Sequence, residues 1–266
     1  MAFALLPVPT STAASVDKHQ DVEYQPLISN GDEADVEEGV TKQELVGHDT
    51  APECRKGDDI ALWMAIVSVG AIAVATWIVM FSNEPLTRGW FFFHPTLETL
   101  SILALSYGVL TLQPTRNPET KAAGLTRHQV AILFVAFPLI FLGTFTIWLN
   151  KTVHHSHHAR SWHGLFGYIT TGWMVVQILL GGGSVWFNGR IFGGNPRAKL
   201  VWKYHRLSGY LLLPLLLLTT HLGGAWSHWG TQNSPLWVRI LAYYVAPALL
   251  LVAVFVRVRP SKMKFF

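Results

Sequence analysis

The sequence predicts an all-α membrane protein with six transmembrane helices behind a polar amino-terminal tail. Three observations predict it. Hydrophobic residues fill 50% of the 266 positions, and charged residues only 14%. The charges crowd into residues 1–58 and into the gaps between long apolar blocks. Those blocks show no strand alternation and run about twice the length of a membrane β-strand, which leaves helices as the spanning elements.

The tail comes first. Residues 1–58 carry the run Asp32, Glu33, Asp35, Glu37 and Glu38 and no long apolar stretch. Such a segment buries too little apolar surface to offset its ordering entropy, so it reads as a disordered acidic cytoplasmic tail. Met1–Ala14 is short, interrupted by prolines and lacks a basic start, so a signal peptide is not expected there.

A bilayer core takes about 20 apolar residues of helix. Segments near 60–81, 90–113, 127–149, 161–184, 200–226 and 236–257 meet that need, making 59–258 one six-helix domain. Turn and charge signals separate them at Asn83-Glu84-Pro85, Pro114 to Lys121, residues 150–160, Asn188 to Pro196 and Gln232 to Pro235. A basic cytoplasmic carboxy-terminus, 259–266, follows.

Lysine and arginine set the orientation. Arg55 and Lys56 precede the first span, and Arg116, Lys121 and Arg127 follow the second. Arg190, Arg197 and Lys199 follow the fourth, and Arg257, Arg259, Lys262 and Lys264 close the chain. The alternate loops are poorer in basic residues, so both termini are expected in the cytoplasm. The net charge of +4 comes mostly from these loops and points to lipid headgroups, not nucleic acid. Cys54 is the only cysteine, which excludes intrachain disulfides, iron–sulfur clusters and cysteine-rich zinc sites.

His94, His128, His163 and His205 each sit near the start of a separate span. Histidine is rare inside membranes, and a recurrent one marks a functional site. With alternating spans, His94 and His163 share the non-cytoplasmic side, and His128 and His205 the cytoplasmic side. Zinc would want its ligands at one depth. Two pairs at two depths instead suit two bis-histidine haems that pass electrons across the bilayer. Small residues near the ligands, Gly164, Gly167, Ser208, Gly209 and Gly181–Gly183, let backbones approach a flat cofactor or one another.

The segments FFFHPTLETLSI, TRHQVAILF, RSWHGLFGY and LVWKYHRLSGYLLL resemble the cytochrome b561-domain family across about residues 60–257. The compact six-helix members are the nearest in form. The resemblance implies a transmembrane oxidoreductase with a four-helix core holding two b-type haems. It makes His94 and His163 the axial ligands of the non-cytoplasmic haem, and His128 and His205 those of the cytoplasmic one. It also implies cytoplasmic ascorbate as donor, monodehydroascorbate or ferric chelates as acceptor, and a homodimer as one assembly. The family's basic motif at the end of the second span is replaced here by YGVLTLQPTRN, and Ser161-Trp162-His163-Gly164 stands where a Ser-Leu-His-Ser-Trp element is usual.

Other residues carry two readings each. Arg127, Lys199, Lys203 and Arg206 on the cytoplasmic side, and Arg160 on the other, are candidates for haem propionates or an anionic donor; positive-inside bias alone also places most of them. The run His154-His155-Ser156-His157-His158 is a candidate for concentrating Fe(III) or Cu(II) chelates, or a loop of accidental composition. Glu98 lies one turn beyond His94, as a proton carrier or, preferably, a hydrogen-bond partner to a neighbouring helix. His221, about 24 Å along its helix from His205, is a minor rival ligand. The competing functions are a haem-free transporter or metal/proton carrier, and a scaffold whose acidic tail recruits partners.

Overall fold

A computed structural model describes residues 54–83, 87–113, 115 and 117–259. The acidic tail before residue 54, Arg116 and the basic residues after Arg259 lie outside this range, and with them the expected disorder of the tail.

Helix α1 (Asp58–Ser82) opens with Asp58 and Asp59, whose charge suits the positive end of a helix dipole. It closes where the Asn83 Nδ2 donates to the Val79 carbonyl at 2.7 Å, satisfying one of the carbonyls a helix end leaves open. Then come α2 (Phe93–Leu110), α3 (Pro118–Val153), α4 (Trp162–Val185), α5 (Asn195–Trp226) and α6 (Leu236–Arg257). A short helix, His228–Asn233, bridges the last two. Pro118 starts α3 where a missing N–H does no harm. Ser161 caps α4, its Oγ accepting from the Gly164 N–H at 3.1 Å.

Of these, α1, α3, α4, α5 and α6 are long and apolar enough to cross a membrane. The expected second span is helical but shorter than 90–113, and one 3₁₀ turn (Gly89–Phe92) precedes it. Its apolar character is diluted by His94, Thr96, Glu98, Thr99, Ser101 and Ser106. Several of those polar groups serve neighbouring helices. The Thr99 hydroxyl accepts from Trp77 Nε1 at 2.9 Å, and the Ser101 hydroxyl donates to the Ala136 carbonyl at 2.7 Å.

Two π-helical turns, Val130–Ala136 in α3 and Leu241–Val245 in α6, sit immediately before Pro138 and Pro247. A proline inside a helix removes one N–H and crowds the preceding turn, and a wider turn relieves both. The α4–α5 connection reverses through Phe187, Asn188 and Gly189, all left-handed with φ of 53°, 56° and 68°.

Each long helix packs on the next, and α6 closes against α1. The closest pairings are α4 with α5, α1 with α6, and α2 with α3. Ile72 and Leu250 are fully buried in one core with Val69, Ile140, Met174 and Leu216. Large apolar side chains such as Trp63, Phe134 and Leu179 are exposed on the outer surface, as lipid contact requires. Arg257 is 4% exposed and ties three helix ends together. It donates to the Asp58 carbonyl and, at 2.6 Å, to that of Gln113, while the Asp58 carboxylate meets Arg55 at 3.1 Å and Arg259 at 3.3 Å.

Candidate functional site

His94, in the first turn of α2, meets His163, in the first turn of α4, with their Nε2 atoms 3.5 Å apart. The ring planes cross at 63°. Each Nδ1 is committed elsewhere. That of His94 donates to the Gly143 carbonyl on α3 at 3.0 Å, and that of His163 to the Thr219 carbonyl on α5 at 2.9 Å. A carbonyl can only accept, so Nδ1 carries the proton and Nε2 of the neutral ring presents a bare lone pair. Two such lone pairs face each other across a gap close to the span of two metal–imidazole bonds of about 2 Å each. Facing lone pairs repel unless an electrophile joins them.

Near the opposite ends of α2 and α4, His128 on α3 faces His205 on α5, with ring centroids 6.3 Å apart and planes crossed at 81°. The His128 Nδ1 donates to the Gly108 carbonyl near the end of α2 at 3.2 Å. The His205 Nδ1 is buried with no hydrogen-bond partner among the described residues, although Gln177 Nε2 fixes the His205 carbonyl at 2.9 Å. Two glycines lie flat against these rings. A Cβ on Gly181 would fall 2.7 Å from His205 Cε1, and one on Gly223 would fall 2.7 Å from His163 Cε1. Neither ring could stay in place beside an alanine.

Four imidazoles arranged as two opposed pairs fit a flat macrocycle with two axial positions. A zinc cage needs four convergent ligands. Among the described residues no three His, Cys, Asp or Glu side chains gather into one. Residues 93–230, a stretch that includes all four histidines, match the family model of eukaryotic cytochrome b561. The chain belongs to that family. No curated protein and no solved structure matches it. As a cytochrome b561 it is an integral multi-pass membrane protein that binds haem b and serves transmembrane electron transfer as an oxidoreductase.

The basic candidates of this cytochrome occupy both ends. Arg127 is exposed and its guanidinium donates to the Thr111 carbonyl at 3.5 Å. Lys203 and Arg206 are half-buried on either side of His205, with Lys203 Nζ 5.2 Å from the Tyr204 ring centre; Lys199 is exposed one turn earlier. Arg160 lines an open cleft of about 420 Å³ with Lys151, Ser156, His157 and Ser161, beside the start of α4.

The histidine-rich loop does not converge. His154 Nδ1 bonds the Asn150 carbonyl at 2.7 Å, and His158 bonds the Tyr168 hydroxyl and stacks on Trp148. His221 is satisfied on both sides, its Nδ1 donating to the Tyr243 carbonyl at 2.7 Å and its Nε2 accepting from Trp226 at 3.2 Å. Both of its ring nitrogens are thus engaged within the fold. Glu98 accepts from the Thr144 hydroxyl on α3 at 3.1 Å, the helix-to-helix role preferred from the sequence. The sequence reading missed Gly223, Gln177 and the three carbonyl acceptors. Only the recurrence of glycine near the ligands hinted at the first.

Proposed function

We propose that this cytochrome moves electrons across the bilayer through two b-type haems, one held by His94 and His163 and the other by His128 and His205. The observation that carries the proposal is the opposed Nε2 pair at 3.5 Å, both rings locked by Nδ1–H bonds to carbonyls of α3 and α5. A ring fixed in that tautomer is a stronger and better aimed donor than a free one, because the second bond raises its basicity and holds its plane. A haem with two imidazoles supplies one-electron Fe(III)/Fe(II) exchange with no open coordination position. The protein's part is to hold four imidazoles at two depths, to keep water off them with the surrounding helices, and to present charge at each end.

Positive-inside bias places both termini, and so the His128–His205 end, in the cytoplasm. Arg127, Lys203 and Arg206 then surround the entry point, where ascorbate is the donor in keeping with the resemblance. Arg160 lies at the exit, where monodehydroascorbate or a ferric chelate is the acceptor. The test is stopped-flow reduction of the purified cytochrome by ascorbate, followed by oxidation with ferric citrate or ferricyanide. Rapid reduction by ascorbate supports the donor. A protein with an intact haem spectrum that ascorbate does not reduce would require another donor.

A further inference from the structure

Among the described residues, His94 is the one of the four histidines with a carboxyl group beside its Nδ1. Glu98 Oε1 lies 3.6 Å from that nitrogen, just beyond the Gly143 carbonyl that takes the hydrogen bond. His128 and His163 have a backbone carbonyl there, and the His205 Nδ1 has no hydrogen-bond partner among the described residues. The placement of Glu98 is built. Gly143 provides the carbonyl for His94, and a Cβ on that same glycine would fall 2.8 Å from Glu98 Oε1. The next residue, Thr144, donates its hydroxyl to Glu98 at 3.1 Å and lies 3.1 Å from Thr171 on α4, the helix that bears His163. One dipeptide on α3 thus receives both the ligand and the acid one turn behind it.

We infer that Glu98 is a positioning residue that makes the His94–His163 centre electronically distinct from the His128–His205 centre. The inference rests on the haem assignment proposed above. Glu98 Oε1, 3.6 Å from Nδ1, is too distant to share the proton that Gly143 takes. Its negative charge density nevertheless lies beside a ring that gains positive charge when it binds ferric iron, which favours the ferric state. Among the described residues no carboxyl is so placed at the other end, so the His94 centre is the more lowered in potential by its ligand environment.

The test is a spectroelectrochemical titration of the purified, haem-loaded Glu98→Gln cytochrome against the wild type. Glutamine keeps the size of the side chain and an acceptor for Thr144 but carries less negative charge density beside the His94 ring. The expected result is an upward shift in the potential of one haem component, with the other unchanged as an internal control. Unmoved potentials would overturn the inference, as would an equal shift of both components, since either makes the role of Glu98 structural or nil. If Glu98→Gln loses haem, Thr144→Val carries the same test, because it frees the carboxyl from its orienting hydroxyl while leaving it in the chain. An unchanged pair of potentials in that variant is equally fatal. A wild type with no low-spin b-type spectrum would instead overturn the haem assignment itself, which keeps the two failures apart.

Discussion

Gly223→Ala is expected to cost the protein one haem and leave the other. The added methyl would sit 2.7 Å from Cε1, 2.9 Å from Nδ1 and 3.3 Å from Nε2 of His163. Ordinary carbon contacts begin near 3.5 Å, so the ring must retreat by about 0.8 Å. That movement strains the Nδ1–H bond to Thr219, worth about 1 kcal/mol, and overpacking of a filled site costs about 1–3 kcal/mol more. A penalty of about 2–4 kcal/mol weakens the hold on a ligand by about 30- to 700-fold. The assay is haem per polypeptide, with the reduced-minus-oxidised spectrum resolved into its two components. Gly172→Ala in α4 is the control, since nothing lies within 4 Å of its would-be Cβ. If Gly223→Ala keeps both components as Gly172→Ala does, the argument from close packing against His163 is wrong.

Further outcomes follow from the same geometry. His221→Ala is expected to retain the full haem content, because both ring nitrogens are already engaged by Tyr243 and Trp226; pyridine haemochrome analysis checks it. Arg257→Met removes charge-assisted bonds to the Asp58 and Gln113 carbonyls from a site only 4% exposed. At about 1.5–3 kcal/mol per bond to a charged group, several kcal/mol of stability go with it, read as a lower Tm in detergent. Ser161→Ala loses the α4 cap and about 1 kcal/mol, with little change in the haem spectrum.

Hydropathy and charge were enough to read the helical class, and the starts of α1 at Asp58 and α4 at Trp162 lie close to those expected near 60 and 161. Helices α3 at Pro118 and α5 at Asn195 begin well before 127 and 200, because their first turns are polar and fall outside an apolar window. The second span was the weak point. Its polar residues serve partners on α1 and α3, and a one-dimensional scale scores that service as a loss of apolar character. The facing of His94 with His163, and of His128 with His205, could be anticipated because both depend on depth, and depth follows from counting residues along alternating helices. The acceptors at Gly108, Gly143 and Thr219 could not be anticipated. They are backbone carbonyls, present at every residue, and only the helix packing selects these three. Gly223 was hidden for a related reason, since its value lies in a ring on another helix. The histidine loop shows the converse. The run from His154 to His158 carried two readings, chelation or accidental composition, and of its imidazoles those of His154 and His158 are directed to Asn150, Thr152 and Tyr168.

The measurement that bears most directly on the central claim is a dithionite-reduced minus oxidised spectrum of the purified protein, with haem counted per polypeptide. Two low-spin b-type haems per chain are predicted, falling to one in His163→Ala and to one in His205→Ala. One haem in the wild type would mean that only one histidine pair serves as ligands, and a ratio of two that survives either substitution would contradict the assignment of these residues.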